Sequence, residues 1–282
     1  MREPRSKLIA LTEAAALVPS GALLGLGGLM TSGAPMSFCR ELMRGPASGL
    51  ELVVPMGGMN VDWLIAAGCV GRVLTAIVSF EGFGLAPAFR RAGERDDVAI
   101  EDWSELTMLC ALQAAAAGVP YMPTRAALGT DLPAHLPHRM QEMTDERTGS
   151  TFIACFPLAP DVAVVHVHEA DVLGNARVDP KLVWLDGELV KAARTVIVTA
   201  ERIVDTDTFR AAPERTSYPS YAVDHVAHAP RGAWPGAFAP DYGYDAGFYR
   251  AYTQAAKDPQ AFAALFAEAV APISVSRDAP SR

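Results

Sequence analysis

"ALLGLGGLMTSGAPMSFCRELMRG", residues 22–45, is a run of apolar residues that stops at Gly27 and Gly28 and resumes, after Gly33 and Pro35, as a segment closed by Gly45. An unbroken apolar run, in place of an in-and-out alternation, marks a strand buried on both faces. Proline at its start and glycine just past its end bound the second half as a helix. The unit is strand, glycine turn, helix.

The same unit recurs downstream. "LELVVPMGG" (50–58) reads as a strand and glycine turn, "DWLIAAG" (62–68) as a helix, "RVLTAIVSF" (72–80) as a strand and "APAFRRAGE" (86–94) as a helix. A first helix capped by Thr12 precedes them, and a helix over 104–118 capped by Ser104 follows. Further strands are expected at 161–171 and 194–204, with a helix near 184–193 between them. Alternation of this kind predicts an α/β fold with one open, mainly parallel sheet and helices on both faces. We expect a single domain over 1–282, with a proline-rich loop at 119–150, a C-terminal helical segment at 246–271 broken at Asp258 and Pro259, and a frayed tail over the last dozen residues.

With half of its 282 residues apolar and a fifth charged, the chain has the composition of a globular protein. A formal net charge of −8 argues against a nucleic-acid surface. The basic, alanine-rich start imitates an export signal, but Thr12, Glu13 and Ser20 interrupt its apolar run, and no stretch reaches the ~20 residues that span a bilayer. Cys39, Cys69, Cys110 and Cys155 show no paired spacing and read as buried, reduced thiols. The expectation is a cytoplasmic protein without nucleic-acid or membrane partners.

Residues 20–35, "SGALLGLGGLMTSGAP", carry Ser-Gly, an apolar run, Gly-Gly and then Gly-x-Pro at fixed intervals. This spacing resembles the signature of the A subunits of family I coenzyme A transferases, with Ser20, Gly25 and Leu29 as mild departures. The blocks at 59–73, 161–178, 192–204 and 223–245 look like those of glutaconate CoA-transferase A subunits and their relatives, so the resemblance covers roughly 5–270. It implies a CoA-transferase fold and a CoA thioester as substrate, with no tightly bound cofactor and no metal. In that chemistry a glutamate attacks the thioester carbonyl to give a mixed anhydride and CoA thiolate. The thiolate returns to make a glutamyl thioester, and an acceptor carboxylate then takes the CoA. The nucleophilic glutamate of the family lies in a Ser-Glu-Asn-Gly block of the B half, which this chain lacks. The resemblance therefore implies a separate B subunit, with acyl-CoA and a small carboxylic acid as further partners.

Glu81 and Glu105 are the catalytic candidates. Glu81 is expected at the C-terminal tip of the third strand, where open α/β sheets gather ligands, although a solvated strand-end acid fits the same sequence. Glu105 falls in the first turn of a helix, where the macrodipole favours an acid regardless of function. The ring-opening CoA hydrolases of steroid catabolism, also similar to this chain, look to carry their essential glutamate there, which implies a rival chemistry with Glu105 as base on water. Gly27 and Gly28 are candidates for close substrate approach or for N–H donation to an oxyanion, or are simply a tight turn. Gly57, Gly58 and Asn60 close the second strand in the same way, and Arg125 in the long loop, with Arg90 and Arg91, is a candidate for an anionic group. His166 and His168, at i and i+2 of a buried strand, read as core histidines rather than metal ligands, and Trp234 with "DYGYD" (241–245) reads as a partner-facing segment or a cap on the core.

Three functions compete: a heteromeric CoA-transferase A subunit, the A subunit of a CoA-thioester-dependent hydrolase, and a non-catalytic ligand-binding module. The last would be expected with a DNA-binding helix-turn-helix, and none is found.

Overall fold

A computed structural model describes residues 5–271, so nearly all of the expected tail lies outside the described residues. In chain order the strands are β1 (Leu8–Ile9), β2 (Leu23–Leu26), β3 (Leu50–Val53), β4 (Met56–Gly57), β5 (Val70–Thr75), β6 (Ile77–Val78), β7 (Ala99–Asp102), β8 (Met122–Thr124), β9 (Met140–Thr144), β10 (Thr151–Cys155), β11 (Val162–Ala170), β12 (Ala176–Arg177), β13 (Thr195–Ile203) and β14 (His225–His228). The helices are α1 (Leu11–Ala16), α2 (Met36–Arg44), α3 (Met59–Ala66), α4 (Pro87–Arg95), α5 (Glu105–Ala117), α6 (Leu132–His135), α7 (Asp186–Ala192), α8 (Thr206–Ala211), α9 (Ala246–Ala255) and α10 (Pro259–Val270).

The main sheet runs β1-β14-β13-β11-β2-β3-β5-β7, parallel throughout, with β12 antiparallel to the end of β11. From β2 the chain lays strands outward to β7 on one side, and from β11 it lays them outward on the other. The order therefore reverses between β2 and β11, and a crevice opens beyond their carboxyl ends.

Period-2 alternation sends Leu24, Leu52 and Val164 to one face, under α2, α3 and α9, and Val53, Leu74 and Ala163 to the other, under α5 and α7. Both faces of these strands are buried, which is why their sequences are mainly apolar, with Glu51 and Arg72 at half-buried positions.

Three sequence expectations change. The helix expected after Thr12 begins at Leu11, and Glu13 rather than Thr12 closes its start by accepting from Ala10 N–H at 2.8 Å. The strand expected over 72–80 leaves the main sheet after Thr75, and Ile77–Val78 pairs instead with β4 in a two-stranded parallel ribbon. The loop expected at 119–150 carries β8, α6 and β9, and β8-β10-β9 form a small antiparallel sheet of their own. Prolines 123, 133 and 137 hid these short elements, since β8 and α6 each contain one. The C-terminal segment forms two helices divided at Asp258, whose side chain accepts from Gln260 and Ala261 N–H.

Candidate active site

The glycine turn after β2 lies at the strand-order reversal. Gly27 N–H donates to Val164 O at 2.9 Å, which ties the turn to β11. Gly28, at φ +100, donates its N–H to both carboxylate oxygens of Asp186, at 3.1 and 3.3 Å. A Cβ on Gly27 would lie 2.6 Å from Asp186 Oδ2, and one on Gly28 would lie 2.6 Å from the Ala34 backbone. Both glycines are thus required by close approach, and both N–H groups are engaged inside the chain. The oxyanion-donor role considered for them does not fit this arrangement.

Glu81 does not cap a main-sheet strand. It opens a one-turn 3-10 helix, Glu81–Phe83, because the chain turns out of the sheet at Thr75 and Ser79 Oγ accepts from Glu81 N–H at 2.9 Å. Its φ is +52, an uncommon conformation for a residue with a Cβ, and its exposed carboxylate accepts from the hydroxyl of buried Thr31. Thr31 follows Met30, itself at φ +48, and Met30 N–H donates to Met56 O. Gly58 packs so closely on the Met30 carbonyl that no side chain fits between them. Residues 27–34, 56–58 and 81 are therefore linked in one network of contacts, largely buried, with the Glu81 carboxylate at its exposed end.

Glu105 is half-buried in the first turn of α5, where Ser104 Oγ accepts from Thr107 N–H at 3.1 Å. Its Oε2 accepts from the Trp184 indole N–H at 3.1 Å. No hydrogen bond joins Glu105 to Glu81. What connects the two acids is the turn and segment 184–186, with Thr31 holding one and Trp184 the other.

Sequence reasoning missed Trp184 and Asp186. Asp186 is the first residue of α7, where an acid is unremarkable, and its contact with Gly28 spans 158 residues. Burial pushes its carboxyl up to about 6, with the Gly28 N–H opposing the rise.

Other candidates take structural places. Asn60 is buried, and its Oδ1 accepts from Gly58 and Val61 N–H at 3.0 Å each, so it shapes the start of α3. Arg125 is exposed just beyond β8, and no hydrogen bond or ion pair joins it to either acid. Arg90 pairs with Glu94, and Arg91 donates to Ala256 O and lies over Phe262. His166 is buried between Thr199 Oγ1 and Glu201 Oε1, at 2.9 Å from each, and His168 Nε2 meets Ala239 O at 2.9 Å. Trp234 donates to Asp245 and Tyr242 donates to Glu201 at 2.5 Å, so this segment caps the core while Tyr244 stays half-exposed. All four cysteines are free and buried. Among the described residues no group of three or more His, Cys, Asp or Glu side chains is arranged to hold a metal. No helix among them is long and apolar enough to cross a membrane.

The sequence pattern of the coenzyme A transferase family matches residues 8–229, from β1 to just past β14. The chain belongs to the coenzyme A transferase family. It is 33% identical to the cholesterol ring-cleaving hydrolase IpdA subunit of Rhodococcus jostii, over 93% of this chain and 91% of that one. The crystal structure of glutaconate coenzyme A-transferase from Acidaminococcus fermentans superposes with a TM-score of 0.86 at 26% identity, covering 93% of this chain and 88% of that one. A protein of Archaeoglobus fulgidus is 38% identical over 83% of this chain, which spans about half, 52%, of that relative's length. Coenzyme A transferases thus share this fold with a ring-cleaving hydrolase subunit, and likeness alone does not choose between the two chemistries.

Proposed function

We propose that this chain is the A subunit of a two-chain enzyme that moves CoA from an acyl-CoA thioester to a carboxylic acid. The observation that carries this reading is the family pattern across residues 8–229, on a fold with the glycine turn at its strand-order reversal and Glu81 bonded to Thr31 of the segment that follows that turn. A partner glutamate attacks the thioester carbonyl, the carbon–sulfur bond breaks, and CoA thiolate leaves a mixed anhydride. The thiolate then attacks the glutamyl carbonyl of the anhydride, expels the first carboxylate and forms a glutamyl-CoA thioester. The acceptor carboxylate repeats the two steps in reverse.

A partner is supported by what surrounds the acids. Leu85 (62% exposed) and Ile77 lie near Glu81 in sequence, Leu106 follows Glu105, and Trp184 (49% exposed) touches Glu105. Large apolar side chains left exposed near each carboxylate support a covering polypeptide. Covering that face would also exclude water, which the anhydride requires.

One observation favours a second reading, hydrolysis of a CoA thioester substrate with Glu105 as base. The Trp184 indole N–H holds one oxygen of the half-buried Glu105 carboxylate, which orients it as a base on water needs to be. Co-purification with the partner chain, followed by assay of acyl-CoA with and without acetate, separates the two. Acetyl-CoA formation that is abolished by substituting a partner glutamate supports transfer. Turnover without an acceptor acid, abolished by Glu105→Ala, supports hydrolysis. Full activity of this chain alone overturns both.

A further inference from the structure

The segment from Trp184 to Asp186 is fastened at both ends to the candidate site. At one end the Trp184 indole N–H donates to Glu105 Oε2 at 3.1 Å, and at the other the Asp186 carboxylate accepts the Gly28 N–H at 3.1 and 3.3 Å. α5, which carries Glu105, packs on α7, which begins at Asp186, and Leu112 and Leu189 lie fully buried in the core they share. No Lys or Arg is bonded to Asp186 among the described residues, and the Gly28 backbone N–H donates to its carboxylate. A buried carboxylate with so few partners costs native stability when it is ionised.

We propose that Asp186 is a positioning residue for the acyl-CoA site, fixing the peptide between Gly27 and Gly28 and, through Trp184, the carboxylate of Glu105. This rests on the reading of the chain as an acyl-CoA enzyme subunit. A trans peptide is planar, so an N–H of Gly28 held against Asp186 turns the Gly27 carbonyl the opposite way, away from α7. Gly27 permits the contact, since a Cβ there would press on Asp186 Oδ2. The same turn leads through Met30 to Thr31, whose hydroxyl holds Glu81. Asp186 thereby sets the turn to which one acid is bonded and anchors the segment to which the other is bonded. Because Asp186 touches neither acid, its effect is on geometry and not on proton transfer.

Two substitutions and two readouts test this. Asp186→Ala removes both acceptor oxygens, and Asp186→Asn keeps one. Amide hydrogen exchange of the peptide containing Gly28 is read in the chain, and kcat and KM for acyl-CoA are read in the complex with its partner. In Asp186→Ala, Gly28 exchange rises by about tenfold or more while global stability accounts for none of the rise. In the complex kcat per folded site falls about tenfold with KM within about threefold, and Asp186→Asn recovers to within about threefold of the parent in both readouts. The proposal is overturned if Gly28 protection is unchanged in Asp186→Ala, if the loss of activity matches only the loss of folded protein, or if Asp186→Asn is no better than Asp186→Ala. Should Asp186→Ala fail to fold, Asp186→Asn decides: an intermediate kcat with unchanged KM supports the assignment, and a kcat equal to the parent's with freely exchanging Gly28 sinks it. A parent complex that turns over no acyl-CoA thioester would remove the functional reading, and Gly28 exchange would still judge the Asp186 contact.

Discussion

The Tyr252 hydroxyl on α9 donates to Oδ2 of Asp62 on α3 at 2.8 Å, in a core where neither side chain is exposed to solvent. The other carboxylate oxygen of Asp62 accepts from Ala88 and Phe89 N–H, at 2.7 and 2.8 Å, and so serves the first turn of α4. One buried acid thus ties three helices together. Tyr252→Phe leaves Oδ2 without that donor and is expected to lower stability by about 1–3 kcal/mol, read as a shift in the urea midpoint. An unchanged midpoint would show that this bond carries no net stability.

Burial pushes Asp62 up to about 6, with the N–H groups of α4 and the Tyr252 hydroxyl opposing the rise, and it pushes Asp186 to about 6 as well. Each folded-state value lies above the ordinary aspartate value of 3.8, so the native state binds the proton more tightly than the unfolded chain. The stability these two groups supply is fully present below about 4 and is lost as pH rises through about 6. Asp186→Asn removes the titration, so its midpoint relative to the parent should be higher at pH 8 than at pH 4.5. Tyr218, whose buried hydroxyl is raised partly by Asp186, and Glu188 are the nearby acids that could modify this difference. An equal difference at both pH values would show that burial does not raise the Asp186 carboxyl above its ordinary value.

Arg40 is 2% exposed and lies between the rings of Trp63 and Trp234, 4.9 Å from each centroid. Its guanidinium donates to Ala269 O at the end of α10 and to Trp234 O, and burial lowers it to about 10. The negative end of the α10 dipole and two aromatic faces take the place of a counter-ion. Arg40→Lys cannot reproduce a flat cation with two directed bonds and should destabilise the fold by about 1–3 kcal/mol in thermal or urea unfolding. Equal stability of the Lys variant would mean that charge alone is needed there.

Trp184→Phe keeps an aromatic side chain, though a smaller one, and deletes the indole N–H that holds Glu105. If hydrolysis is the chemistry, kcat should fall by about tenfold, because a base that is free to rotate is less often aligned. If transfer through a partner glutamate is the chemistry, kcat should stay within about twofold. Steady-state assay of the complex with and without acceptor acid reads the difference.

The parallel α/β sheet, the alternation of strands and helices, the break before Pro259 and the importance of the glycine pair were legible in residues 20–94 and 246–271, since apolar period, glycine and proline act within a few residues of themselves. The small sheet around β10 was not legible, because β8 and α6 carry prolines that read as loop. The position of Glu81 was misread because nothing local says that the chain leaves the main sheet at Thr75. That departure depends on β6 finding β4.

By itself the sequence determined the class of fold, the place of the glycine turn and which acids to watch, because each rests on short-range conformational preference or on a motif with fixed spacing. The tertiary structure alone decided that the Gly28 N–H is spent on Asp186, that Thr31 and Trp184 hold the two acids, and that Asn60 shapes a helix start. Those contacts join residues that are distant along the chain, and hydrogen bonding at a crevice is fixed by which strands become neighbours, a property of the packed sheet that no single segment contains.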